Sequence, residues 1–195
     1  MELQYFGANS LKFTTKKSVI VVDPVSDITT LKTDLKKINT VVATQLSLLS
    51  QTGDDTFVID SPGEYEFEDY SVKGIPAQAH TAAAGDKSAT MYVINSGDTR
   101  FLVTGHIAAK LSEEQLEAIG IVDVIIIPVG GNGYTLDATA AASLIRAIEP
   151  KMVIPVHASD DGLQYEVPQS EIELFTKELG APVAEDTPEK LKIKS

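Results

Sequence analysis

The stretch Val122-Asp123-Val124-Ile125-Ile126-Ile127-Pro128-Val129 is almost continuously apolar. A short run of this kind is typical of a β-strand that is covered on both faces. Met152 to Val156 repeats the pattern further along the chain, and Asp137 to Ile148 between them places its apolar residues at helical spacing. The order strand, helix, strand predicts a buried sheet with helices on the outside.

Towards the N-terminus the chain reads as short β-branched or aromatic segments separated by Gly, Pro, Asp or Asn. Ser96-Gly97-Asp98 between two such segments indicates a hairpin. The predicted strands are Leu3 to Phe6, Leu11 to Thr15, Val19 to Asp23, Val41 to Thr44, Phe57 to Asp60, Tyr65 to Phe67, Ser71 to Ile75, Ala89 to Ile94 and Arg100 to Thr104.

Two further helices are predicted in the second half. Ser112 and Gln115 have the spacing of a capping box, which starts a helix over Glu113 to Ile119. Pro168 suits the start of the last helix and Gly180 its end. A strand-rich first half and a strand-helix second half predict a layered α/β (α+β) domain of mixed sheets.

The composition limits the kind of protein. With 195 residues, of which 43% are hydrophobic, residues 1–195 are expected to form a single domain with one core. No apolar run is long enough to span a membrane and no signal peptide is visible, so we expect a cytoplasmic protein. Cysteine is absent, so a metal would have to be held by His or carboxylate.

The net charge of −12 argues against nucleic acid and anionic membranes as partners, because the mean electrostatic field of the protein repels phosphate groups. Two groups of lysines remain, and we interpret both as solvated faces. They are Lys32, Lys36 and Lys37, and Lys190, Lys192 and Lys194.

Several segments, in this order along nearly the whole chain, carry a family resemblance. They are Tyr5-Phe6-Gly7, Val22-Asp23-Pro24, Val58 to Glu66, Gly74-Ile75-Pro76, Leu111 to Leu116, Ile127 to Gly131 and Pro150 to His157. With them the chain resembles the small zinc-dependent hydrolases of the metallo-β-lactamase superfamily. The resemblance implies a four-layer αββα sandwich with a metal site at one edge, where two zinc ions generate hydroxide.

The first metal-binding loop of that family is not kept. Where active members have His-x-His-x-Asp-His after a strand, this chain reads Gln45-Leu46-Ser47-Leu48-Leu49-Ser50. The four ligand positions are therefore Gln45, Ser47, Leu49 and Ser50, which are weak zinc ligands or none. The resemblance thus predicts a degenerate metal site without a dinuclear zinc centre.

All three histidines of the chain fall at positions that the resemblance assigns to the metal cleft. His80 and His157 match metal-ligating histidines, and His106 stands where the family has its bridging Asp. These imidazoles either form a mononuclear zinc site with an open fourth position, or are inherited residues that hydrogen-bond in a polar cleft. Because each follows a predicted strand, we expect them to lie close together.

Two further features belong to the predicted cleft. Asp23 matches a residue that orients metal-ligating histidines in active relatives, although it is more simply explained by the Asp23-Pro24 turn. Gly130, Gly131 and Asn132 are interpreted as a tight turn at the rim of the cleft, with anion binding by backbone N–H groups as the alternative.

The sequence therefore leads to two hypotheses for function. In the first, the protein is a non-catalytic pseudo-hydrolase that needs no cofactor and binds a small ligand or a partner protein. In the alternative, it is a zinc-dependent hydrolase with a single zinc ion on His80, His106 and His157. The sequence indicates no catalytic side chain, and it leaves the ligand and the oligomeric state open.

Overall fold

Two six-stranded β-sheets packed face to face form the centre of the computed structural model. The structure describes residues 1–24, 38–49, 52, 55–185, 188 and 190–193. The first sheet has the order β12-β1-β2-β3-β4-β5 and the second the order β11-β10-β9-β8-β7-β6. The expected sandwich of mixed sheets is confirmed.

The strands of the first sheet are β1 (Glu2–Gly7), β2 (Ser10–Thr14), β3 (Val19–Val22), β4 (Thr40–Val42), β5 (Phe57–Ile59) and β12 (Lys190–Lys192). Pairing is antiparallel from β12 to β3 and parallel from β3 to β5. A short 3-10 helix, Leu46–Leu48, follows β4.

The strands of the second sheet are β6 (Gly63–Glu66), β7 (Ser71–Ala77), β8 (Ala89–Ser96), β9 (Thr99–Val103), β10 (Val124–Pro128) and β11 (Met152–Val156). Pairing is antiparallel from β6 to β9 and parallel from β9 to β11. Three helices accompany this sheet: α1 (Glu113–Ile119), α2 (Ala138–Ile148) and α3 (Ile172–Leu179).

Two large apolar clusters hold the layers together. One lies between the sheets, where Phe13 and Phe101 meet edge to face with ring centroids 5.4 Å apart. The other joins the outer face of the second sheet to the helices, through residues such as Ile125, Leu144 and Phe175. Along β9 and β10, successive apolar residues belong alternately to the two clusters, so both faces of these strands are buried.

Three predictions about elements need correction. The strand predicted over Val122 to Val129 is shorter, Val124–Pro128. The last helix begins at Ile172 and not near Pro168, because Ser170 N–H donates to the Gly130 carbonyl and holds this segment extended. Lys190 and Lys192 are exposed, in agreement with the predicted solvated face, but they lie on strand β12, which the sequence did not predict. Lys32, Lys36, Lys37 and Lys194 lie outside the described residues.

Candidate functional site

The three histidines lie next to one another where β7, β9 and β11 end. The rings of His106 and His157 are in edge contact, with centroids 4.8 Å apart and planes at 83°. The backbone N–H of His80 donates to the carbonyl of His106 over 2.8 Å. The structure thus brings His106 and His157 into side-chain contact, and attaches His80 to them through the backbone.

The backbone around these residues is unusual. Ala8, Asp23, Asn132 and His157 are non-glycine residues with positive φ angles of 48°, 41°, 53° and 55°. Each follows a strand of the sandwich or lies in the loop after β10. Left-handed conformations of this kind cost energy and cluster at functional sites, so this edge is the candidate site of the molecule.

Gly105, just before His106, allows the close approach of the two sheets at this edge. It has a φ of +63°, and a Cβ atom at this position would lie 2.5 Å from the Thr44 Cβ atom. Only glycine combines that backbone conformation with so close a contact.

Asp23 lies at the centre of a buried hydrogen-bond network. Its carboxyl group accepts from the Thr44 backbone N–H over 2.7 Å, from the Thr44 hydroxyl over 2.6 Å and from the Asn9 amide over 3.5 Å. Burial raises the pKa of Asp23 to about 7, although the hydrogen bonds from Thr44 and Asn9 act to lower it. Asp23 therefore connects the ends of β1, β3 and β4 and does more than fix the turn before Pro24.

Hydrogen bonds determine which nitrogen of each buried imidazole carries its proton. The Asn9 amide nitrogen lies 3.2 Å from Nδ1 of His106 and donates to it, so the proton of His106 is on Nε2. Nδ1 of His157 lies 3.2 Å from Oε1 of Gln169, and the Gln169 amide nitrogen donates to the Val167 carbonyl. The proton of His157 is therefore on Nδ1.

Aromatic rings surround His157 and close the space next to it. The Tyr165 ring lies 4.6 Å and the Tyr134 ring 5.6 Å from the His157 ring, centroid to centroid. Tyr134 also contacts His106 edge to face at 5.1 Å. His106 and His157 are only 6% and 2% exposed as a result.

This burial keeps both imidazoles neutral at physiological pH. Desolvation, with the nearby His157 and His80, lowers the pKa of His106 to about 3. Desolvation lowers the pKa of His157 to about 4, against a raising contribution from Gln169. With pKa values this low, both rings are weak bases near neutral pH, where general acid-base catalysis works best with a pKa close to the working pH.

The described part of the loop after β4, up to Leu49, does not direct metal ligands at the histidines. The Gln45 side chain reaches the His106 carbonyl at 3.5 Å. Ser47 is exposed, and Leu49 packs against the apolar cluster of Val21 and Val41 on the outer face of the first sheet. Ser50 lies outside the described residues.

The glycine-rich loop after β10 forms a self-contained turn at the rim. The Gly131 N–H donates to the Thr135 hydroxyl over 2.7 Å, and the N–H groups of Tyr134 and Thr135 donate to the Gly131 carbonyl. A Cβ atom on Gly130 would lie 2.2 Å from both Gln169 Oε1 and the His157 carbonyl. Asn132 donates to the Pro168 carbonyl. The N–H groups of Gly131, Tyr134 and Thr135 are thus used within the loop, as a tight turn requires.

The described residues do not fit the metal centre that the fold family implies. No group of three or more His, Asp or Glu side chains in the described part of the chain is placed to hold a metal ion. Nδ1 of His106 is occupied by Asn9 and Nδ1 of His157 by Gln169, whereas Nε2 of His106 and Nδ1 of His80 are buried without a partner. A dinuclear centre has too few ligands here.

Sequence reasoning missed the residues that complete the site. Thr44, Tyr134, Tyr165 and Gln169 hold or cover the histidines and Asp23, but none has a spacing or motif that marks it. Asn9, which donates to Asp23 and His106, was not predicted either.

Comparison with known proteins places these features in a family context. A family model described as "Beta-lactamase superfamily domain" matches residues 2–157. A metal-dependent hydrolase of Thermoplasma acidophilum is 30% identical over 123 residues, which is 60% of this chain and 53% of that protein. One of Carboxydothermus hydrogenoformans is 26% identical over 117 residues, 57% of this chain and 51% of that protein. The chain thus spans about half the length of these relatives.

Solved structures share the fold at low sequence identity. A protein of the metallo-β-lactamase superfamily from Thermotoga maritima has a TM-score of 0.75 and 21% identity, covering 100% of this chain and 93% of that one. An isothiocyanate hydrolase from Delia radicum gut bacteria has a TM-score of 0.67 and 11% identity, covering both chains completely at 100%. In the described residues, no helix has the length and apolar character needed to cross a membrane.

Proposed function

We propose that this chain, which belongs to the metallo-β-lactamase superfamily, is a non-catalytic member of it. Its curated relatives are named metal-dependent hydrolases. In this proposal the fold is retained for binding a small ligand or a partner protein. The observation that carries it is the composition of the edge after β4, where an amide, an exposed hydroxyl and a leucine directed away from the cleft occupy three of the family's ligand positions.

The state of the remaining histidines supports the same conclusion. Two neutral imidazoles are packed against each other and beneath tyrosine rings, and each has its Nδ1 atom engaged by an amide side chain. Such a cluster is satisfied largely by the protein itself. A hydrolytic site would need an activated water or a nucleophile, and the two neutral imidazoles, with their low pKa values, are poor bases for activating one.

Metal analysis is the direct test. Protein purified without added metal is expected to contain far less than one zinc ion per chain, before and after dialysis against zinc and then buffer. The positive control is the variant Gln45→His/Ser47→His/Leu49→Asp/Ser50→His, which restores the family's ligand loop and should gain zinc. Stoichiometric zinc in the wild-type chain that is lost in the His157→Ala variant would overturn the proposal.

One observation favours a second candidate function, a hydrolase with a single zinc ion on His80, His106 and His157. Nε2 of His106 and Nδ1 of His80 are buried and have no hydrogen-bond partner, and an imidazole nitrogen is a good zinc ligand once the ring proton has moved to the other nitrogen. The same zinc measurement separates the two candidates, since only this one requires retained metal.

A further inference from the structure

Two edge strands of the sandwich carry opposite charges in the same alternating pattern. On β6 and just beyond it, Glu64, Glu66 and Glu68 are exposed and alternate with the half-buried Tyr65 and Phe67. On β12 and just beyond it, the exposed Lys190 and Lys192 alternate with the half-buried Leu191 and Ile193.

Each of these strands has one side free for pairing in the described part of the chain. There, β12 pairs with β1 only and β6 with β7 only, so both strands stand at the end of a sheet. A strand in that position presents unpaired N–H and C=O groups to another strand. Side chains of one charge sign normally discourage such pairing, but strands of opposite sign attract each other.

From this complementarity we propose that the chain associates with a second copy of itself by pairing β12 of one copy with β6 of the other. In the antiparallel arrangement Lys190 lies opposite Glu66, and Lys192 opposite Glu64. Leu191 then lies opposite Tyr65, and both already pack against the core between the sheets. The joined sheet would keep its charged face outside and its apolar face inside.

The charges also select this pairing over the others. Two copies of β6 would place glutamates opposite glutamates, and two copies of β12 would place lysines opposite lysines, both of which are unfavourable. The salt bridges within the chain leave the pattern available: Lys190 lies 3.1 Å from Glu2 and Glu64 lies 4.0 Å from Lys73, with Lys190 and Glu64 still 52% and 78% exposed.

The two strands are end strands of different sheets and present unlike surfaces, which sets the kind of assembly. β6 is on the same side as β5, because the rings of Phe57 and Phe67 are 5.6 Å apart. The side of β12 and β1 is instead near β11, because the His157 N–H donates to the Ala8 carbonyl over 3.0 Å. Contact between unlike surfaces is head to tail, and it gives rings or open chains of copies.

Charge exchange tests the proposal. Wild-type protein should show a weight-average mass that rises with concentration, from micromolar to millimolar, in sedimentation equilibrium. The acidic-edge variant, Lys190→Glu/Lys192→Glu, and the basic-edge variant, Glu64→Lys/Glu66→Lys, should each associate at least about tenfold more weakly, because two attractive cross-strand pairs become repulsive. An equimolar mixture of the two variants should associate again, since one supplies an acidic β6 and the other a basic β12.

The control variant Glu173→Lys/Glu178→Lys changes exposed charges on α3 and should associate like the wild type. Thermal melts by circular dichroism establish that each variant is folded, and the mixture requires only one intact β6 and one intact β12. A wild type that stays monomeric at millimolar concentration, association that survives either charge reversal, or a mixture that fails to associate would each overturn the proposal. So would a monomeric wild type that binds a labelled Lys-Leu-Lys-Ile-Lys peptide, because the edge would then serve a different partner.

Discussion

At the scale of single residues, the site combines a buried hydrogen-bond network around Asp23 with buried polar atoms that have no partner, such as Nε2 of His106 and Nδ1 of His80. Asp23 accepts from Thr44 and Asn9, and Asn9 donates to His106. Buried polar groups need such partners because their desolvation is otherwise uncompensated. The network thus holds the ends of both sheets together, whether or not a ligand binds.

The pH dependence of stability should reveal Asp23. Its pKa is about 7 in the folded protein, above the ordinary value of 3.8, so the folded chain binds this proton more tightly than the unfolded chain. The contribution is complete below about 3.8 and is lost as pH rises through about 7. Relative to Asp23→Asn, which cannot titrate, the wild type should therefore lose roughly 3 kcal/mol of stability between pH 5 and pH 8, at about 1.4 kcal/mol for each pH unit up to pH 7.

Urea unfolding of both proteins at several pH values measures this difference. His106 and His157 titrate in both, so their opposite effect, a loss of stability as pH falls below about 6.5, cancels. A difference that does not change with pH would mean that Asp23 is ionised throughout.

Gly105 should tolerate no side chain. In Gly105→Ala the new Cβ atom would meet the Thr44 side chain at 2.5 Å in a backbone with a φ of +63°, so we expect a loss of roughly 3 kcal/mol from combined overpacking and backbone strain. Gly85→Ala is the matched control, because its φ is +88° but nothing lies within 4 Å of the added atom. Denaturant unfolding of both variants should show the larger loss for Gly105→Ala, and equal losses would contradict the close contact with Thr44.

At the scale of helices and strands, local sequence patterns predicted the elements whose conformation depends mainly on their own residues. The capping box of α1 forms as the spacing of Ser112 and Gln115 predicted, and β10 and β11 are buried as their apolar runs indicated. The start of α3 and the existence of β12 depend on tertiary contacts, the first with Gly130 and the second with β1. For the same reason, the sequence predicted that His106 and His157 follow strands, but it did not predict that Gln169 and Tyr165 contact His157.

The cap of α1 offers a test at this scale. The Ser112 hydroxyl accepts from the Gln115 backbone N–H, and the Gln115 side chain accepts from the Ser112 N–H over 2.8 Å. Ser112→Ala should lower the free energy of unfolding by about 1 kcal/mol, whereas Ser112→Asp, another good N-cap residue, should leave it nearly unchanged. Equal losses in the two variants would show that the cap contributes nothing specific.

At the scale of the whole molecule, apolar contacts between the sheets and beneath the helices involve most of the strands, so they hold the sandwich together away from the candidate site. The site at the edge is connected by hydrogen bonds within the chain.

Metal should consequently leave thermal stability unchanged. We expect the same melting temperature in excess zinc and in a chelator, because the proposal includes no zinc binding. If zinc did bind, a concentration of a hundred times its dissociation constant would stabilise the folded chain by about 2.7 kcal/mol. Differential scanning calorimetry of the wild type beside the variant with the restored ligand loop makes the comparison. A zinc-dependent rise in the wild type that His157→Ala removes would instead favour the single-zinc hydrolase.

The pairing of β12 with β1 also has a consequence for how the chain reaches its fold. Glu2 lies opposite Lys192 and Leu3 opposite Leu191, so the first strand meets its outer neighbour only after almost all of the sequence has been synthesised. Contacts between such distant residues slow folding, because the intervening chain must be ordered before they form. During synthesis, the edge of β1 that does not face β2 would stay unpaired until β12 is made. A chaperone that binds exposed strands would have the longest time to act at that edge.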